Sequence, residues 1–323
     1  MPLLETRDTY KPFEYPWAYD AWLTQQRIHW LPEEVPMADD VKDWKTKLTE
    51  NEKALLTQIF RFFTQADIDV GGAYVDIYGP MFKPPEIRMM ISSIASMESI
   101  HIAAYSNLID TLGMPETEYQ AFLEYEEMSD KHDYLTSFNA DNPYELALGL
   151  AAFSAFGEGL QLFASFAILL NFQRFGKMKG MGQIVAWSVR DESLHCENMI
   201  KVFRTLLEEN PNLKGETLRN DIYEICKEMV DLEDRFIDLA FGQGGIEGIT
   251  RHEVKQYVRY IADRRLNQLG YVSLYRVDKN PLPWLDEILN GVEHVNFFEN
   301  RVTEYSRAST EGTWEDAWGI HDD

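Results

Sequence analysis

Two pairs in the chain, Glu98-x-x-His101 and Glu192-x-x-His195, set a carboxylate and an imidazole one helical turn apart. Such a pair can grip a cation with an oxygen and a nitrogen donor together. With 31 Glu and seven His in the sequence, chance alone supplies about 0.7 such pairs, so the motif by itself is weak. Its setting makes it stronger. Ile87, Ile91 and Ile94 lead to Glu98, His101 and Tyr105, then Leu108; Val185 and Ser188 lead to Glu192 and His195, then Met199 and Val202. Two more apolar stripes carry one acid each. Asp67 follows Leu56, Ile59, Phe60 and Phe63 and precedes Val70 and Tyr74, and Glu158 stands among Phe156, Leu160, Leu162, Phe163 and Phe166. Steps of three and four turn every one of these polar groups toward a buried helix face.

The order is repeated within the chain: an acid, then Glu-x-x-His, with Asp67 31 residues before Glu98 and Glu158 34 before Glu192. A buried carboxylate with no partner is very costly, and no Lys or Arg shares these stripes. A metal is the natural counter-charge. Four acids and two histidines are the ligand set of ferritin-like carboxylate bundles, which hold two metal ions between four helices. Mixed oxygen and imidazole donors suit iron or manganese. Cys196 and Cys226 are the only cysteines, too few for an iron–sulfur cluster. Tyr105, one turn beyond His101, belongs beside the metals. Asp191, next to Glu192, reads equally as an acid that orients a ligand histidine and as a surface acid beside Arg190. Trp30 reads as a packing aromatic and Tyr305 as an exposed tail residue.

Long helices must carry these groups. Prolines crowd the first 40 residues and then mark junctions at Pro80, Pro84, Pro85, Pro115, Pro143, Pro211, Pro281 and Pro283. The stretches between them have helical periodicity, which predicts helices near 40–47, 51–78, 85–112, 117–137, 143–173, 180–208, 216–241 and 249–272. Strand signals are nearly absent. The expected fold is all-α: a ferritin-like four-helix bundle with extra helices, formed by residues 1–300, and a flexible tail over 301–323. Between Leu146 and Phe172 the one charged residue is Glu158. A carboxylate at mid-bilayer is unfavourable, so this stretch is expected to be the buried central helix of a soluble bundle, not a membrane span.

A net charge of −24 on 323 residues excludes a general grip on nucleic acid or anionic lipid. Two cysteines give no disulfide framework, which fits a reducing cytoplasm, and the N-terminus carries no secretory signal.

The chain resembles the small, radical-generating subunit of class I ribonucleotide reductase. The resemblance runs from Trp30-Leu31-Pro32-Glu33-Glu34-Val35 through Met97-Glu98-Ser99-Ile100-His101 with Tyr105. It continues through Val189-Arg190-Asp191-Glu192-Ser193-Leu194-His195 and Asn280-Pro281-Leu282-Pro283-Trp284 to the Tyr305 tail. It implies Asp67, Glu98, His101, Glu158, Glu192 and His195 as ligands of a dinuclear centre, two iron ions first, with two manganese or a manganese–iron pair as alternatives. It implies that the centre activates an oxygen species and that the oxidising equivalent is kept on Tyr105 or on the metals. Trp30 and Asp191, with His101, match the path to the surface, and Tyr305 matches the tail tyrosine that passes the equivalent onward. The implied partners are a large (alpha) subunit, docked through the C-terminal tail and reducing a ribonucleoside di- or triphosphate, a second copy in a homodimer, and an activating flavoprotein. No nucleic acid or membrane partner is implied. Ser188 stands where many relatives hold a larger aliphatic, which makes the tyrosine pocket more polar. Asp at 67, where the manganese–iron subgroup has Glu, leans away from that subgroup. A ligand-binding oxidase of the same superfamily shares both Glu-x-x-His pairs; the Trp30 element and the tail with Tyr305 and Trp314 favour the reductase.

Overall fold

The computed structural model describes residues 3–289. Residues of the chain group into two compact units, Met1–Pro281 and Leu282–Asp323. The first is helical throughout, and its helices follow in chain order. They are α1 Pro16–Arg27, α2 Ala38–Thr46, α3 Glu50–Gly72, α4 Gly79–Met81, α5 Pro85–Leu112, α6 Thr117–Gln120, α7 Glu126–Thr136, α8 Pro143–Leu150, α9 Leu162–Arg174, α10 Lys179–Glu209, α11 Glu216–Ala240 and α12 Arg251–Leu269. Among the described residues the one extended pairing is a single bridge between Ile246 and Ile249. In the second unit, residues 283–289 are helical. The expected tail, 301–323 with Tyr305, lies outside the described residues.

Two of the expected long helices contain a wide-turn segment. α3 runs on into a π-helix, Ala73–Tyr78, and α8 and α9 are joined by another, Ala151–Gln161. π-Turns inside helices gather at functional sites, and Glu158 sits in the second. The helix expected over 117–137 is broken: α6 passes into a 3₁₀ turn, Ala121–Glu124, and Tyr125 takes an extended conformation before α7. α1 was hidden among the early prolines, yet Pro16 occupies its first turn, where the missing N–H is harmless.

The ends of the helices are fixed by local chemistry. Thr49 caps α3 and Glu52 reaches back to the Thr49 N–H at 2.8 Å, a reciprocal capping box. α5 ends at Gly113 with φ +74°, the left-handed turn that favours glycine. α2 aims two acids at the start of α10. Asp40 accepts the N–H groups of Gly180 and Met181 at 2.8 Å each, and Asp43 that of Met178 at 2.9 Å. Carboxylates there satisfy free N–H groups and complement the helix dipole. Gly180 has to lack a side chain, since a Cβ would lie 2.7 Å from the Asp40 carboxylate.

α3 packs along α5, and α10 packs against α5, α9 and the Ala151–Gln161 segment. These four rods form the central bundle. α1 and α2 cover α5 and α10, while α7, α11 and α12 cover the outer side of the central stretch. Pro143–Arg174 is apolar and long enough to cross a membrane, but its apolar central stretch is enclosed by protein, as expected for a central helix. α7 and α11 are bolted together by a buried ion pair. Lys131 Nζ lies 2.6 Å from Glu233 Oε2 and rests over the rings of Phe62 and Phe236 at 3.6 and 4.4 Å.

Glu233→Leu would leave the Lys131 ammonium buried and unpaired. It should lower unfolding free energy by about 3–5 kcal/mol, whereas Lys131→Met/Glu233→Leu together should fall far less; urea denaturation of the two variants checks this. Asp40→Ala should cost about 1–2 kcal/mol through the bare start of α10, read the same way.

Candidate metal centre

The six predicted ligands arrive from the four rods of the bundle. α3 carries Asp67, α5 carries Glu98 and His101, the π-helical segment carries Glu158, and α10 carries Glu192 and His195; all six are buried. Donor atoms of Glu98, Glu158, Glu192 and His195 lie within 4.8 Å of one another. His195 Nδ1 is 3.0 Å from Glu98 Oε1, 3.4 Å from Glu192 Oε2 and 3.6 Å from Glu158 Oε1. His101 Nδ1 joins the cluster at 3.1 Å from Glu192 and 3.5 Å from Glu98. Asp67 is an electrostatic neighbour of His101, Glu98, Glu192 and Glu158.

Buried polar groups are normally hydrogen-bonded, and here they are not. Both oxygens of Glu98 and of Glu192, Asp67 Oδ2, Glu158 Oε1 and both ring nitrogens of His195 have no hydrogen-bond partner. One donor atom each of Glu98, Glu158, Glu192 and His195 meets in a common volume, and none of the ion pairs in the cluster involves a Lys or Arg. Four carboxylates facing two neutral imidazoles carry a charge that two divalent cations cancel. The donor set therefore fits a dinuclear metal site.

Crowded acids without a metal must hold protons. Burial pushes Glu158 up to about 8, with Glu192 and Glu98 adding to it against His195. Burial also pushes Asp67 well above the usual carboxylate range, against His101. Glu98 goes the other way, down to about 2, because His101 and His195 beside it outweigh its burial. Both imidazoles are pushed well above their ordinary value despite burial, His101 by Asp191, Glu192 and Glu98, and His195 by Glu158, Glu192 and Glu98.

Neighbouring groups orient the ligands. Asp191 is buried, not at the surface, and its Oδ2 lies 3.4 Å from His101 Nε2. A proton on Nε2 leaves the Nδ1 lone pair facing Glu98 and Glu192. The same Oδ2 accepts the Trp30 indole N–H at 2.7 Å, and Arg190 covers Oδ1 at 3.1 Å. Trp30, Asp191 and His101 thus form one buried chain of contacts, and Trp30 is more than a packing aromatic. Burial pushes the Asp191 carboxyl upward, but His101, Arg190 and Trp30 bring it below its ordinary value. Tyr105 is buried, stacks on Phe63 at 4.5 Å and donates to Ser188 Oγ at 3.3 Å. Ser188 is therefore the polar partner of that phenol. Burial, then Asp67, pushes the Tyr105 phenol upward.

The π-helical segment is held from outside. Arg265 of α12 donates to the Gly159 carbonyl at 2.8 Å and lies over Phe163. A Cβ at position 159 would meet Arg265 at 2.6 Å and Cys196 at 2.7 Å. From inside, Tyr74 donates to Glu158 Oε2. Neither Tyr74 nor Arg265 was singled out from the sequence. Tyr74 had a signal, seven residues after Asp67 on the same stripe; Arg265 had none.

A helical bundle whose buried carboxylates and imidazoles could hold metal ions defines the class. The family model "Ribonucleotide reductase, small chain" matches residues 7–281, and the chain belongs to that family. It is 46% identical to a protein of Invertebrate iridescent virus 6 assigned as a ribonucleoside-diphosphate reductase small subunit, over 98% of this chain and 99% of that one. The fold matches the ribonucleotide reductase R2 subunit from Clostridium botulinum with a TM-score of 0.83 at 21% identity, covering 90% and 94% of the two chains. It also matches the dimanganese(II) form of NrdF from Streptococcus sanguinis, with a TM-score of 0.75 at 22% identity and coverage of 84% and 94%. The protein is a ribonucleotide reductase small subunit, an oxidoreductase component with a ferritin-like helical fold.

Metal uptake has to displace the protons on Glu158, Asp67 and the two imidazoles. In lightly buffered solution near pH 7, manganese(II) binding should release protons, and apparent affinity should climb with pH through about 8, where Glu158 ionises unaided, and further while the imidazoles still hold their protons. A pH-indicator titration checks both.

Proposed function

We propose that Asp67, Glu98, His101, Glu158, Glu192 and His195 hold a dinuclear metal centre from which this subunit supplies an oxidising equivalent for ribonucleotide reduction. The observation that carries this reading is the convergence of partnerless buried oxygens and nitrogens from three helices, with Asp67 of α3 as their electrostatic neighbour. Two iron ions suit the donor set; two manganese ions, or one of each, suit it as well. When bound, the metal pair would supply oxygen activation and one-electron chemistry that no side chain here can perform.

The chain's own residues supply the rest. Asp191 holds the His101 tautomer and gives Trp30 an acceptor for its indole proton. Ser188 holds the Tyr105 hydroxyl, and Phe63 shields its ring from water, which suits Tyr105 to keep the equivalent. Trp30, Asp191 and His101 offer a continuous route between the site and the covering α1–α2 region. Tyr305 continues that route within the C-terminal segment, and residues 301–323 dock on a large subunit that binds the ribonucleoside di- or triphosphate. A homodimer, an activating flavoprotein and a cytoplasmic setting complete the proposal; the two buried free thiols, Cys196 and Cys226, suit the last.

Reconstitution with iron or manganese and a large subunit tests it. Glu98→Ala should lose metal binding and ribonucleotide reduction together. Tyr105→Phe should bind metal normally yet lose the radical signal and at least about 100-fold in turnover, roughly 2.7 kcal/mol; retained turnover would assign the stored equivalent to the metals. Tyr305→Phe should leave the metal centre intact and stop turnover, and normal turnover would remove it from the route.

A further inference from the structure

Glu158 is held unlike Glu98 and Glu192. Both oxygens of Glu98 and of Glu192 lack hydrogen-bond partners, whereas Glu158 keeps only Oε1 without one. Its Oε2 accepts the Tyr74 hydroxyl, which also lies 3.4 Å from Ser154 Oγ. The free oxygen, Oε1, is the one that faces His195, at 3.6 Å. Tyr74 belongs to the π-helical segment Ala73–Tyr78 and Glu158 to the segment Ala151–Gln161. The contact therefore ties together the two places where the bundle's helices depart from α geometry. Packing fixes the ring: Tyr74 is 1% exposed and lies 5.9 Å from Tyr78, which in turn meets Phe153 edge-on at 5.8 Å. The Tyr78 hydroxyl is buried with no partner, so it serves as an internal comparison. The two phenols are adjacent and equally enclosed, but one touches a candidate ligand and the other does not.

We propose that Tyr74 is a positioning residue for the metal centre: its hydroxyl engages one oxygen of Glu158 and confines that acid to a single donor atom, Oε1. This rests on the reading of Glu158 as a ligand. A carboxylate oxygen already accepting a hydrogen bond is a poorer donor to a cation, and fixing the carboxylate's rotation lowers the entropy lost when Oε1 is used. Glu98 and Glu192 remain free to present two oxygens. The two metal positions are consequently unequal, and the one served by Glu158 depends on a phenol that is not itself a ligand. Partners of this kind typically change affinity by about 10–100-fold.

Manganese(II) titration of the full-length chain, followed by the electron paramagnetic resonance of free manganese(II), tests this without turnover. Wild-type protein should take up two ions. Tyr74→Phe should bind one of them about 10–100-fold more weakly and the other unchanged, and 4-aminophenylalanine at position 74, which keeps a donor there, should restore much of the loss. Tyr78→Phe should bind as wild type. Melting of the metal-free variants checks folding, and Tyr74→Phe should stay within a few degrees of wild type because the ring volume is kept. On a Glu158→Ala background, Tyr74→Phe should add no further loss. Wild-type affinity for both ions in Tyr74→Phe, or an equal loss with and without Glu158, would overturn the assignment. A wild-type chain that takes up no manganese pair would overturn the ligand reading beneath it.

Discussion

The structure turns on four carboxylates buried together with no ammonium or guanidinium in their cluster. Charge in a protein interior must be neutralised, paired or protonated. In the metal-free chain protonation does part of this, which is why Glu158 and Asp67 move up while Glu98 moves down beside two imidazoles. A pair of divalent cations would cancel that charge and give the converging donor atoms of Glu98, Glu158, Glu192 and His195 something to bind. The polar cluster sits in the middle of a bundle otherwise lined by Leu, Ile, Phe and Met, so the folded state is built around a site it cannot satisfy with its own side chains.

Much of the remaining architecture holds those groups still. α2 turns Asp40 and Asp43 on the start of α10 and so sets the register of the helix that brings Asp191, Glu192 and His195. Arg265 pins the wide-turn segment at Gly159, one residue from Glu158. Trp30 and Arg190 occupy the two oxygens of Asp191 and hold that carboxylate beside His101 Nε2. The two buried phenols near the cluster have different partners. Tyr105 donates to a neutral hydroxyl, Ser188, so its proton has no strong base in contact. Tyr74 donates to a carboxylate, so it acts on the geometry of that acid. The distinction separates a residue suited to carry an oxidising equivalent from one suited to hold a ligand in place.

The long helices were legible because apolar residues recur every three or four positions between prolines, and the six candidate ligands were legible because they interrupt those stripes. Where legibility failed, a competing local rule was at work. The 117–137 region keeps helical periodicity, yet Tyr125 is extended and the chain turns through 3₁₀ geometry before α7. α1 starts on a proline in a proline-rich stretch, which reads as a breaker although the first turn tolerates it. The π-helical segment Ala151–Gln161 leaves no periodic trace, since it lies within an apolar run where every face is buried.

The sequence by itself determined the helical class, the four stripes and the identity of the polar residues on them, because side-chain periodicity follows from chain position alone. It also carried the motifs that mark the reductase family. Only the tertiary structure decided which atoms meet: that Asp191 is buried between Trp30 and His101, that Ser188 is the partner of Tyr105, and that Tyr74 reaches Glu158 across two widened turns. Those contacts join residues far apart in the chain, and their geometry depends on how the rods pack and where their turns widen, which no local pattern encodes.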